Sequence, residues 1–347
     1  MAERTAVSRK RVVYLDLLRL FATFQMLQGH AIDAVLQPQF RSGSVHAWWV
    51  HVRGYTAPAF LFAAGFAFYL TTLRPGLGAQ ADAPANHWRR LRRFGMLIAL
   101  GYMMHLPPSL EQVWDYAIVD VLQCIGVSLM ALELLRWWFP ASSVALAASA
   151  ILTVSCFALA PLFADWLPLG PWRIFSNYVN HAGGSLFPLL PHGGYLFAGV
   201  CTGAVAASTY ELACHRWRLL VLSGCSWLVV GTMAMAHIDT MRIERLAVVL
   251  SITSLLALAW GNRTALGYPW STFARQTLVI YWVHVWVLYA KPWGVQYWYG
   301  RILGPWGAIA FALLVVVASL ACGLFWEKIT RRSQTRTQPL EPETASR

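Results

Sequence analysis

Residues 13–35, VYLDLLRLFATFQMLQGHAIDAV, decide how the chain is to be read. At about 1.5 Å per residue a helix over this run crosses the ~30 Å hydrocarbon core of a bilayer, and most of its side chains are apolar. Four ionisable residues interrupt it: Asp16, Arg19, His30 and Asp33. Charge inside a membrane is expensive, so each marks function and calls for a partner. At about 100° per residue the step from Arg19 to His30 returns to within about 20° of the same face, and Asp16 and Asp33 fall within about 60° of Arg19. Thr23 and Met26 fill the stripe between them. Arg19 and His30 stand roughly 16 Å apart along the axis, one nearer each membrane surface. Charges that only lock helix packing are the alternative reading.

The rest of the chain has the same character. Of its 347 residues 58% are apolar and only 12% charged, which excludes an ordinary soluble domain and predicts a membrane protein. The expected fold is an all-α polytopic membrane helix bundle of about ten transmembrane helices. It occupies 13–326, between a cytoplasmic N-terminal tail at 1–12 and a disordered cytoplasmic C-terminal tail at 327–347. The formal charge of +12 does not point to nucleic acid, because Lys and Arg sit in short loops between apolar spans, where they set topology. Trp48, Trp49, Trp88, Trp137, Trp138, Trp166 and Trp172 lie near span ends, as in an interfacial aromatic belt. The six cysteines show no CxxC or other metal spacing, and no metal is expected. No Walker A or GxGxxG pattern is present, and the first apolar run lacks the cleavage site of a signal peptide.

Arg4, Arg9, Lys10 and Arg11 place the N-terminus in the cytoplasm, so the first span runs outward and His30 falls in its outer half. An external loop at 37–50 carries His46. The second span, 52–72, returns through Pro58, Gly65 and several Ala, which permit close helix contact. Arg89, Arg90, Arg92 and Arg93 then stand at the cytoplasmic surface. The third span, 94–106, ends at His105 and the Pro107-Pro108 pair; the fourth, 116–135, carries Asp120, Gln123 and Glu133. A plain apolar span at 142–163 is followed by the long external loop 164–188, suited to a substrate rim or to the interface. Spans at 190–208, 219–237 and 246–261 come next, the last two separated by HIDTMRIER, whose Arg242 and Arg245 fall outside against the positive-inside rule. The ninth span, 272–290, holds His284, which reads as structural or pore-lining; His192 is left undecided. The tenth is 303–326.

A histidine in a partly buried polar site can take a proton from a hydroxyl or amine as it attacks a carbonyl. For His30 the orienting partner is either Asp33, on the same helix face, or Asp120 from another span. Arg19 and the Arg89–Arg93 cluster offer guanidinium groups, which match phosphate geometry and stay charged. Asp120 and Gln123 either line the site or hydrogen-bond between helices. A cytoplasmic phosphate clamp and an outward histidine along one stripe suggest a long phosphorylated acyl carrier, which describes acyl-coenzyme A.

The segment LDLLRLFATFQMLQGH, with ten residues between Arg19 and His30, resembles the opening of the transmembrane acyltransferase superfamily, which includes acyltransferase family 3. The bacterial branch related to heparan-alpha-glucosaminide N-acetyltransferase is the nearer likeness. RGYTAPAFLFAAGFAFYL, DVLQCIGVSLMALELL, FPLLPHGGYLFAGVCTGA and FARQTLVIYWVHVWVLY follow in the family's order. The resemblance implies an enzyme of the bacterial inner membrane, both termini cytoplasmic, that moves an acetyl or other short acyl group from acetyl-CoA or another acyl-CoA to a glycan or lipid-linked acceptor. It implies His30 as catalytic histidine and Arg19 with Arg89, Arg90, Arg92 and Arg93 as coenzyme ligands. Where the family often has Arg-Gly, this chain has Arg19-Leu20. In the heparan enzyme the reactive histidine lies further on, which makes His46 the rival of His30. Oligomeric state stays open, a homodimer included. The other function class is a proton-coupled transporter, since buried Asp, Arg and His also build carriers.

Overall fold

A computed structural model describes residues 12–75, 83–105, 113–114, 116–208, 212–290 and 293–336. The basic N-terminal tail at 1–11, the Pro107-Pro108 pair and residues 337–347 lie outside the described residues. The regular elements among the described residues are helices: α1 (Val13–Val35), α2 (Ser44–Arg53), α3 (Thr56–Phe68), α4 (Pro84–Met103), α5 (Val121–Trp138), α6 (Ser142–Leu159), α7 (Arg173–Val179), α8 (Leu189–Ala206), α9 (Leu212–Met235), α10 (Met241–Trp260), α11 (Trp270–Arg275), α12 (Thr277–Tyr289), α13 (Val295–Trp298) and α14 (Pro305–Arg336). Among them seven are long and apolar enough to cross a membrane, α2 and α3 counting as one run over Ser44–Leu73. The fold is therefore all-α and membrane-spanning. Its outer faces agree: Ile151 and Val154 on α6, Leu228 on α9 and Leu314 on α14 are each more than 60% exposed. Apolar surface of that extent is stable against lipid and not against water.

Several boundaries differ from the sequence expectation. The loop expected at 37–50 folds from Ser44 as α2, and the fourth span begins only at Val121, because Asp120 caps it. The ninth span is broken at Gln276 into α11 and α12, and α14 runs on to Arg336, so residues 327–336 are helical and not disordered.

The chain divides into two compact units, one of residues 1–22 and 48–264, the other of residues 23–47 and 265–347. In the first, α3 packs on α8, α6 on α8, α4 on α5 and α9 on α10. The α3–α8 crossing is set by two glycines. A Cβ at Gly65 would collide with the carbonyl oxygen of Leu196, and one at Gly199 with that of Phe62. Each helix thus presses its bare backbone on the other, the contact that small residues permit in membranes. Gly199→Leu is expected to force the helices apart at a cost of about 1–3 kcal/mol or more, read as a lower melting temperature in detergent; an unchanged melting temperature would refute the close crossing.

In the second unit α14 packs on α11 and α12. Ala31, Ala34 and Val35 of α1 share a buried core with Leu288, Ala308, Ala312 and Val315. The end of α1 is tied down by a short bridge, in which Gln37 N donates to Leu303 O (3.0 Å) and Leu303 N to Val35 O (2.9 Å).

Candidate active site

Helix α1 passes from the first unit into the second at Thr23, which puts Arg19 in one and His30 in the other. In the second unit the ring of half-buried His30 meets His284 of α12. His30 Nδ1 lies 3.0 Å from His284 Nε2, with the ring centroids 5.2 Å apart and the ring planes inclined by 21°, so the two rings meet edge to edge. His284 is fully buried, and its Nδ1 lies 3.0 Å from the carbonyl oxygen of Ile280, one turn earlier on the same helix. Tyr289 stands edge-on to the His30 ring at 5.7 Å and donates its hydroxyl to the His30 carbonyl at 3.0 Å. A histidine ring in such a setting has the chemistry to take up or release a proton.

Asp33 pairs with Arg41 at 3.6 Å. Arg41 also donates to the carbonyls of Asp33 (2.5 Å) and Leu36 (3.1 Å), so it caps the C-terminal end of α1, where a cation is favoured. The ring beside His30 is that of His284, which the spacing argument had no means to single out. The signal lay in its mid-span position, where an ionisable residue marks function. His46 lies half-buried on α2.

In the first unit Arg19 pairs with Asp16 at 3.7 Å and keeps 29% of its side chain exposed. The four arginines of α4 divide by helical angle. Arg90 turns inward to Glu133 of α5, with Nη2 at 2.7 Å and Nε at 2.8 Å, while Arg89, Arg92 and Arg93 face outward and are exposed. His87 Nδ1 lies 2.6 Å and Arg136 Nη1 3.6 Å from the Glu133 carboxylate, and neither Glu133 nor Arg136 exposes more than 1% of its side chain. The outward three form a cationic face suited to phosphate.

Asp120 and Gln123 make a capping box at the start of α5: Val121 N donates to Asp120 Oδ1 (2.6 Å) and Asp120 N to Gln123 Oε1 (3.0 Å). His105 Nε2 adds a contact of 3.3 Å to Asp120 Oδ2. Arg242, awkward as a topology signal, is instead engaged by Asp239 at 3.1 Å. Beside it Glu244 accepts from Tyr55 (3.2 Å) and faces His51 (3.4 Å). The segment 164–188 is a built structure, with Asn180 Nδ2 donating to the carbonyls of Phe163 (2.6 Å) and Trp166 (2.7 Å). His192 packs edge-on to His181 at 5.4 Å. Among the described residues no group of three or more His, Cys, Asp or Glu is arranged to hold a metal ion.

Residues 11–238, well over half the chain, match the family model described as heparan-alpha-glucosaminide N-acetyltransferase, catalytic. The match includes Arg19, His30, His46, the α4 arginines, Asp120 and Gln123; His284 lies beyond it. No curated protein matches the chain.

Proposed function

The chain belongs to the heparan-alpha-glucosaminide N-acetyltransferase catalytic family, a family of membrane-embedded, acyl-CoA-dependent acetyltransferases acting on glycans, and from that premise we propose how this member works. An acetyl or other short acyl group is taken from acyl-CoA at the cytoplasmic face and passed directly to a hydroxyl or amine of a glycan or lipid-linked acceptor at or across the membrane. His30 is the general base. Arg19 and the outward Arg89, Arg92 and Arg93 hold the coenzyme phosphates. Arg90 keeps α4 in place through Glu133, and Asp120 and Gln123 hold the start of α5 as its cap.

The observation that carries the base assignment is the His30 imidazole, half-buried in an apolar unit with its Nδ1 at hydrogen-bond distance from a second histidine. His46 on α2 is the rival for the base, and Asp33, through its pair with Arg41, braces the end of α1. The proposed topology has about ten crossings: the seven apolar spans together with α1, α4 and α12. An even number of crossings leaves both termini on one side. The basic N-terminal tail supports the cytoplasm of a bacterium as that side.

Purified protein in detergent is expected to be stabilised by acetyl-CoA in a thermal-shift assay. Arg19→Ala, and separately the double variant Arg92→Ala/Arg93→Ala, are expected to weaken that binding about tenfold or more, the size of a charge-assisted hydrogen bond lost. Absence of stabilisation by acetyl-CoA and by longer acyl-CoAs would overturn the transferase reading in favour of a proton-coupled transporter.

A further inference from the structure

Resting on the reading of His30 as the base, we propose that His284 is its positioning residue, fixing the tautomer in which His30 Nε2 carries the lone pair. A backbone carbonyl only accepts, so the 3.0 Å contact to Ile280 O places the proton of neutral His284 on Nδ1. His284 Nε2 is then an acceptor, and the 3.0 Å contact to His30 Nδ1 requires an N–H on that atom of His30. A neutral imidazole has one such proton. Nε2 of His30 is therefore the basic nitrogen.

The helix supplies the first link of this chain without a further side chain, because Ile280 stands four residues before His284 on α12 and its carbonyl points along the axis. The 21° inclination of the two rings suits an in-plane hydrogen bond, and the edge-on Tyr289 ring, tied by its hydroxyl to the His30 carbonyl, restrains the second ring. A second imidazole in place of a carboxylate keeps the resting pair neutral, which a membrane interior favours. When His30 becomes an imidazolium, its Nδ1–H bond to His284 strengthens as a charge-assisted hydrogen bond.

The transfer step then balances within the two substrates and His30. The acceptor oxygen, or the nitrogen of a neutral amine, forms its bond to the thioester carbonyl carbon as its proton passes to His30 Nε2. The carbon–sulfur bond breaks, sulfur leaves with the bonding pair, and His30 returns the proton to it as the thiol of coenzyme A. His30 ends as it began.

Two measurements test the assignment. In protein labelled with nitrogen-15 at histidine, the His30 resonances are expected to show a protonated Nδ1 and an unprotonated Nε2, and this pattern is expected to be lost in His284→Leu. In acyl-transfer assays His284→Leu is expected to lower kcat about 100-fold with KM for acetyl-CoA within about twofold, in the range of a lost base function. His284→Gln, whose amide oxygen replaces the Nε2 acceptor, is expected to recover most of that loss. A wild-type His30 protonated at Nε2, an unimpaired His284→Leu, or equal losses in the Leu and Gln variants would overturn the proposal. Should His30→Ala retain full activity while the tautomer pattern stands, it is the base reading of His30 that fails.

Discussion

His30→Ala is expected to lose acyl transfer to every acceptor while still binding acetyl-CoA. A positioned general base contributes about 10²–10⁴ in rate, which is roughly 3–5 kcal/mol of barrier. The structural cost is smaller. His30 is half-buried, and its removal leaves Nε2 of the fully buried His284 without that donor, a cost of about 1–3 kcal/mol. The variant should therefore fold, bind the donor and fail at chemistry, so kcat collapses while the acetyl-CoA thermal shift persists. His30→Asn sharpens the reading: its amide can still donate toward His284 but offers no basic nitrogen, so it is expected to be as inactive as the alanine variant. If instead His30→Ala keeps its rate and His46→Ala loses it, the base moves to α2.

The membrane class, the α1 helix and the approach of small-residue helices were all legible in the sequence, because each rests on a local pattern. Continuous apolar length announces a span, and Gly65 and Gly199 announce close backbone contact. Asp120 was legible in kind but not in role. An Asp followed three residues later by Gln, ahead of an apolar run, is a capping signature, yet the surrounding apolar residues suggested a span that ran straight through it. The pairings could not be read. His30 and His284 are separated by 254 residues, and helical periodicity says which face a residue occupies without saying which distant face it meets. Asp33 shows the same limit at short range. Its angle put it beside His30, while Arg41, beyond the turn that ends α1, is the group that reaches its carboxylate. Arg242 shows the same limit: its pair with Asp239 at 3.1 Å is a tertiary detail that a count of loop charges does not contain.

Glu133→Ala is expected to be the most destabilising single change in the first unit. The Glu133 side chain has no exposure and has three nitrogen groups around it: His87 at 2.6 Å, Arg90 at 2.7 Å and Arg136 at 3.6 Å. Arg136 sits at 1% exposure, so deleting the carboxylate leaves a guanidinium in a dry interior where its charge was compensated by that oxygen. Breaking a buried ion pair from one side costs about 3–5 kcal/mol, because the remaining charge is still desolvated. In detergent this appears as a large drop in melting temperature and in folded yield. Glu133→Gln, which keeps an acceptor oxygen but not the charge, should fall between. The double variant Glu133→Leu/Arg136→Met removes both charges and restores apolar packing, and is expected to recover a substantial part of the loss. The glutamine variant separates a charge argument from a cavity argument: a cavity would make the alanine variant weak but leave the glutamine variant, of nearly equal volume, close to wild type. The consequence for function follows from the helix. Arg90 fixes the rotation of α4, and with it the outward direction of Arg89, Arg92 and Arg93. Glu133→Gln protein that remains folded is therefore expected to bind acetyl-CoA more weakly, although Glu133 itself is buried away from any phosphate.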